Sequence, residues 1–238
     1  MGGIVIDIIG LFYPSRCPIC DKPTGYGKAL IHKACREKLS YITGTKCMKC
    51  GKHVDSAEIE YCYDCSKANH IYDRGRSLYS HNAEIKKSIY NFKYNNKREY
   101  AKAYGEELSD NLKSDILSWN VDVIIPVPLH KSKLRLRGYN QAELIARELG
   151  KNLNISVDSN ILRRNKRTKP QKELNDSGRK KNVKNAFIVE GNIVKYKKII
   201  LVDDIYTTGS TIDGCARALK ENGAENVYYI SLSIGTGI

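Results

Sequence analysis

No apolar run in this 238-residue chain approaches the roughly 20 residues that a membrane-spanning helix needs. The apolar start, residues 1–13, is interrupted by Asp7, lacks a basic leading segment and lacks a small-residue cleavage site. Its pattern fits a short helix packed on the module that follows, with a membrane-surface anchor as the alternative. A cytoplasmic location is therefore expected, peripheral to the inner face of the membrane if that start is an anchor. Cysteine is scarce after residue 65, where only Cys215 remains of eight, and Cys215 reads as a small buried helix residue. In a reducing compartment, clustered cysteines indicate metal rather than disulfides. The Gly-x4-Gly-Lys frame is also missing, which excludes a P-loop nucleotide site.

What is present is a globular composition, 41% hydrophobic and 28% charged, with a formal net charge of +14. That charge suits an anionic partner such as nucleic acid, a nucleotide or an acidic membrane. Richness in Lys, Asn, Ile and Tyr from an AT-biased genome would produce it equally well.

The seven early cysteines belong to an internal repeat. Cys17-x2-Cys20 is followed by His32-x2-Cys35, and Cys47-x2-Cys50 by Cys62-x2-Cys65. Eleven residues separate the knuckles in each unit, and the units are offset by 30 positions. Each unit supplies four nitrogen or sulfur ligands, the set that tetrahedral Zn2+ takes. With all four positions filled by protein, two structural Zn2+ sites are expected, stabilising a module too small to fold alone. His53 lies outside the repeat and is not counted as a ligand.

From about residue 71 the text changes to helical spacings alternating with short apolar runs. Helices are expected over 83–92, 100–112, 140–149 and 211–221. Strands are expected at 121–127, 186–189, 199–202 and 227–232. This alternation predicts an α/β domain over 71–238, a mostly parallel sheet with helices on both faces, preceded by the Cys-rich module at 1–70. A long polar, basic loop is expected between Arg163 and Asn185.

The sharpest signal is Ile199-Ile200-Leu201-Val202-Asp203-Asp204-Ile205-Tyr206-Thr207-Thr208-Gly209-Ser210-Thr211. An apolar strand ends in two carboxylates, at the edge where open α/β sheets bind ligands. A turn of small hydroxyl residues then opens a helix, whose free N–H groups favour an anion. Thr207, Thr208, Ser210 and Thr211 offer hydroxyls, and Gly209 permits close backbone approach. Asp203 and Asp204 are placed to accept from ribose hydroxyls, or to hold Mg2+ through water.

These thirteen residues resemble the type I phosphoribosyltransferase signature. Other segments resemble the ComF family of competence proteins: Ile125-Pro126-Val127-Pro128-Leu129-His130, Arg135-Leu136-Arg137-Gly138-Tyr139-Asn140-Gln141-Ala142, Pro170-Gln171, Arg179 with Asn182-Val183, and Ala186-Phe187. The cysteine knuckles are similar to that family's double zinc ribbon, with His32 standing where many relatives would show Cys. The resemblance implies a type I phosphoribosyltransferase fold that binds 5-phosphoribosyl 1-pyrophosphate with Mg2+. It implies a pyrophosphate-contacting loop at 128–140, with Arg135 and Arg137 as contacts and Lys131 and Lys133 as bystanders. It further implies a flexible loop at about 163–184, where ten basic residues stand against two acids, able to close over the site or to grip a nucleic-acid backbone. Asp203, Asp204 and Arg137 are the candidate catalytic residues of a glycosyltransferase-class reaction.

A role in DNA uptake during natural transformation is implied as well. The alternatives are a non-catalytic module that binds single-stranded DNA, beside a competence helicase, and a regulator that senses phosphoribosyl pyrophosphate. The stretch Asn91–Tyr100, which interleaves aromatics and bases, suits single strands, although Phe92 also fits the apolar face of its helix.

Overall fold

The structure is a computed structural model describing residues 14–25, 29–165, 186–191, 193 and 195–235. The expected N-terminal helix and residues 166–184 of the expected basic loop lie outside the described residues.

The repeat is visible in the backbone. In the first unit Cys17 N–H donates to the Lys22 carbonyl and Asp21 N–H to the Cys17 carbonyl; in the second, Cys47 pairs with Lys52 and Gly51 with Cys47. The equivalent residues Asp21 and Gly51 both adopt left-handed φ, 60° and 75°. The knuckle turn demands that conformation, which Gly and Asp tolerate better than most residues. Each second knuckle opens a short helix, α1 at Lys33–Arg36 and α2 at Tyr63–Lys67.

After the ribbons come β1 (Arg74–Ser80), α3 (Ala83–Tyr94), α4 (Tyr100–Ser118), β2 (Val123–Pro126), α5 (Lys131–Arg137) and α6 (Gln141–Leu153). Next are β3 (Leu162–Arg164), β4 (Phe187–Val189), β5 (Lys198–Tyr206), α7 (Ser210–Glu221) and β6 (Asn226–Ile234). The main sheet is parallel throughout, in the order β1-β6-β5-β2, and a single parallel bridge from Ile124 to Val157 extends it past β2. The short β3 and β4 pair antiparallel.

Strand alternation divides the core in two. Val123, Ile125, Ile199, Leu201, Val227 and Tyr229 face one side, with α7 and the second cysteine cluster. Ile124, Ile200, Val202, Ile230 and Leu232 face the other, with α3, α4, α6 and the first cluster. Both faces are covered, so the central strands are apolar along most of their length, as parallel strands require.

Three elements depart from the sequence expectation. β1 reads Arg-Gly-Arg-Ser-Leu-Tyr-Ser, too polar to announce itself, yet it becomes a strand by pairing with β6. The 128–140 segment is not all loop: His130 accepts from Ser132 N–H at the start of α5, and Gly138, at φ 75°, stops the helix. Arg163 and Arg164, the expected opening of the basic loop, are strand residues because their backbones pair with Ile188 and Phe187.

The ribbons are built into this fold. Residues 40–42 run along the open edge of β1, with Ile42 N–H donating to the Leu78 carbonyl and Ser80 N–H to that of Ser40. Buried Glu107 of α4 accepts from Arg36, from Tyr41 at 2.5 Å and from Tyr79 at 3.2 Å. Gly51 lies so close to β1 that a Cβ there would fall 2.7 Å from the Gly75 carbonyl oxygen.

Glu107→Ala would leave the buried Tyr79 hydroxyl without this acceptor and release Arg36. We expect a loss of about 2 kcal/mol in urea unfolding, with the metal content of the folded fraction unchanged.

Candidate functional site

Strand β5 carries the two acids at its C-terminal end. Asp203 is half-buried and Asp204 is buried. Asp204 N–H donates to Asp203 Oδ1 at 2.9 Å. Burial, and then the charge of Asp204, push the Asp203 carboxyl up to about 7, while Lys93 and Arg164 pull it down. Adjacent carboxylates cannot both be charged at low cost without cations nearby, and the structure supplies them. Lys93 Nζ, from α3, sits 2.8 Å from Asp204 Oδ1.

Beyond the acids the chain turns through Thr207 and Thr208, both exposed, to Gly209 at φ 75°. The Thr208 and Ser210 hydroxyls are 2.9 Å apart. Gly209 is the N-cap of α7, so no side chain caps its first turn. A Cβ at Gly209 would lie 2.6 Å from the Tyr206 hydroxyl and 2.7 Å from the His70 ring. Asp213, the acid in that first turn, is turned away from the opening. It accepts from His70 Nδ1 at 2.8 Å and from Ile71 N–H at 2.7 Å. The acceptor is a carboxylate, so the His70 proton is assigned to Nδ1. With Asp213 engaged there, the helix start keeps its positive end for an anion.

Further basic side chains from α5 and β3 gather around Lys93. Arg137 of α5 donates to Gln141 Oε1 at 2.8 Å and to the Tyr94 hydroxyl at 3.1 Å, and lies over the Tyr94 ring. Lys133, one turn earlier and still exposed, is shifted down from the ordinary lysine value by partial loss of solvent and then by Arg137, Arg164 and Lys93. Arg164 of β3 stacks over Phe187. Arg135 is exposed and has no ion-pair partner among the described residues. The structure therefore groups Arg137 with Lys133, which the sequence set aside, rather than with Arg135.

Sequence reasoning placed Lys93 in a stretch suited to single strands and missed its link to Asp204, and it missed His70 and Asp213. Nothing in the spacing of a lysine on α3 shows that it will reach β5. Neither His70 nor Asp213 belongs to a motif that the sequence shows.

The eight proposed metal ligands fall into two groups, Cys17, Cys20, His32, Cys35 and Cys47, Cys50, Cys62, Cys65, with ligand atoms within 4.8 Å of one another in each. Three thiols plus an imidazole and four thiols are donor sets that zinc accepts. His32 is oriented for the role: its Nε2 lies 3.2 Å from the Pro23 carbonyl and donates to it, leaving Nδ1, 3.3 Å from Cys20 Sγ, to face the cluster. These are two cysteine-rich zinc-binding sites of a double zinc ribbon.

The second site is wired to the turn. The Tyr229 hydroxyl donates to the Cys50 carbonyl at 2.8 Å, and its ring stacks on Tyr206 at 4.7 Å. The Tyr206 and Tyr72 hydroxyls are 2.7 Å apart.

Comparison with known proteins agrees with both halves. Residues 8–66 match the double zinc ribbon domain and residues 96–234 the phosphoribosyl transferase domain. The chain is 31% identical over 211 residues to competence protein F of Haemophilus influenzae, covering 81% of this chain and 92% of that one. It is 29% identical over 197 residues to competence protein ComFC of Bacillus subtilis, covering 80% and 78%. It is 30% identical over 224 residues to the DNA utilization protein YhgH of Shigella flexneri, covering 91% and 96%.

Elemental analysis of the purified protein should return about two zinc ions per chain. His32→Ala should lower the count toward about one; an unchanged count would remove His32 from the ligand set. Chelation should also lower the melting temperature, because the ribbons share both cores of the sheet.

Proposed function

The chain belongs to the ComF family, and on that premise we propose that the end of β5 binds 5-phosphoribosyl 1-pyrophosphate together with Mg2+. The observation that carries the reading is the turn 207–211: its helix start has no side-chain cap and its own acid is diverted to His70. The backbone N–H groups of that turn and the hydroxyls of Thr207, Thr208, Ser210 and Thr211 take the 5-phosphate. Asp203 and Asp204 accept from the ribose 2- and 3-hydroxyls. Arg137 and Lys133 face the pyrophosphate, with Arg135 at the exposed rim.

The acids also suit Mg2+. Two adjacent carboxylates at a strand end form an oxygen donor set of the kind Mg2+ takes directly or through water. Bound with the ligand, Mg2+ neutralises charge on the pyrophosphate leaving group. In a transfer reaction the anomeric carbon–oxygen bond to pyrophosphate breaks and a bond to an acceptor forms. The arginine and lysine cluster stabilises the departing charge, while the two acids hold the ribose.

The competence and DNA-utilization names of the relatives favour a place in the handling of incoming DNA. A second reading, a single-stranded DNA module acting beside a helicase, draws on one surface. Helix α5 buries none of its residues, exposes Leu134 and Leu136 and carries Lys131, Lys133, Arg135 and Arg137. Exposed Tyr90 and Tyr94 lie 4.9 Å apart on the neighbouring α3. Aromatic faces beside cations hold single strands without sequence preference. Thiol-based zinc sites suit a reducing, cytoplasmic setting. Among the described residues no helix is long and apolar enough to cross a membrane.

Calorimetric titration of 5-phosphoribosyl 1-pyrophosphate should show binding that strengthens with Mg2+. Asp204→Asn should abolish the Mg2+ dependence. Thr208→Ala with Ser210→Ala should weaken binding by about tenfold or more, the value of one charge-assisted hydrogen bond. No heat with or without Mg2+ would sink the reading. Pyrophosphate release with an acceptor would then mark an enzyme; binding without release under any acceptor would mark a sensor.

Single-stranded oligonucleotide affinity, under the second reading, should fall steeply with salt and survive Asp204→Asn. Affinity indifferent to salt would remove α5 as a DNA surface.

A further inference from the structure

The last turn of α3 adds a wall to the site that the phosphoribosyl transferase match, which begins at residue 96, does not include. Three consecutive residues there reach three different parts of the molecule. Phe92 is fully buried in the core, and its carbonyl accepts from the Tyr139 hydroxyl. Lys93 reaches Asp204 at 2.8 Å, with its side chain 17% exposed and that of Asp204 12%. Tyr94 takes Arg137, through its hydroxyl and beneath its ring. One helical turn thus ties the acids of β5 to the basic helix α5, with Phe92 anchoring it in the core.

We propose that Lys93 is the positioning residue of the phosphoribosyl site: its ammonium holds Asp204 in place as the acceptor for the ribose hydroxyls. This rests on the reading of the strand end given above. The physical need is plain. Asp203 and Asp204 are adjacent, largely removed from water, and repel one another. Without a cation between them, such a pair would be driven to turn outward. A cation held by a rigid helix keeps Asp204 stationary before any ligand arrives, so less ordering remains for binding. The same ammonium pulls down the Asp203 carboxyl, the second acceptor. Lys93 is well placed for this because its helix cannot shift without moving Phe92 in the core. Its action runs through Asp204, so the two residues must be energetically coupled.

The test is a double-substitution cycle read by ligand affinity, using the full chain with its zinc and, as probes, 5-phosphoribosyl 1-pyrophosphate and ribose 5-phosphate. Lys93→Met keeps the aliphatic stem and removes the charge. It should weaken both probes by about tenfold, alike, because both carry the ribose hydroxyls. Lys93→Arg should restore much of that affinity. In an Asp204→Asn background, Lys93→Met should cost little further. Melting temperature and zinc content of each variant separate site effects from misfolding, and Lys93→Arg serves as the folded comparison if Lys93→Met melts early. Loss of affinity for 5-phosphoribosyl 1-pyrophosphate alone would overturn the proposal and make Lys93 a pyrophosphate contact. Additive losses in the double variant, or undiminished binding by Lys93→Met, would also overturn it. If the unaltered protein binds neither probe, the phosphoribosyl reading itself falls and the proposal with it, an outcome distinct from binding that ignores Lys93.

Discussion

Two neighbouring carboxylates at the end of a central buried strand repel each other, and much of the surrounding architecture answers that repulsion. β5 is hydrogen-bonded on both sides, to β2 and β6, so its end cannot swing away to separate the charges. Compensation has to come from elsewhere in the chain. Lys93 arrives from α3 and Arg164 from β3, and Lys133 and Arg137 of α5 stand beside those two cations. The result is a site of mixed sign: acids that suit sugar hydroxyls and a metal, bases that suit phosphates, and a helix start free to take an anion. A phosphorylated sugar carrying a pyrophosphate presents all three chemistries together.

The zinc ribbons serve this site through packing. The first ribbon contributes Cys17 and Cys35 to one of the two apolar cores that flank the sheet, and the second contributes all four of its cysteines to the other. The second is joined to the turn by Tyr229, Tyr206 and Tyr72, whose rings and hydroxyls form a continuous buried cluster between Cys50 and the residue before Thr207. The segment leaving that ribbon places His70 against Gly209 and engages Asp213. A glycine at 209 is required twice over, by its left-handed φ and by the ring that fills the space where a side chain would stand. The turn's shape is therefore held from below by residues that precede the phosphoribosyl transferase match.

The basic character of the chain is also organised in space. α5 stands out from the body without burying a residue, while its last arginine lies against Tyr94. Arg98 stacks over the Tyr139 ring, close to the glycine that ends α5. Cations and tyrosines thus alternate along the rim of the site, on the side away from the ribbons' tyrosine cluster. A surface of that kind suits anionic polymers, whereas under the phosphoribosyl reading the strand end behind it takes one small ligand. The two readings of function share the cations of α5 and differ in what completes the site, the acids and turn at the strand end or the exposed tyrosines of α3.

Local chemistry made a large part of this legible from sequence. Ligand types repeated at an offset of 30 announce two metal sites because zinc demands four donors at fixed reach. The run from Ile199 to Thr211 announces strand, acids, turn and helix because each residue type has a local physical reason to be there. What depends on distant parts of the chain meeting was hidden. β1 is a strand because β6 offers its edge, not because of its own residues. Arg137 stands with Lys133, and Arg135 faces solvent, because α5 is a helix that turns alternate residues to different sides. Lys93 lies 111 positions before Asp204, and no spacing rule connects them. Sequence by itself determined which groups were available and which short segments could present them. The tertiary structure alone decided which charges would share a desolvated space, because electrostatic compensation acts through distance and burial rather than along the chain.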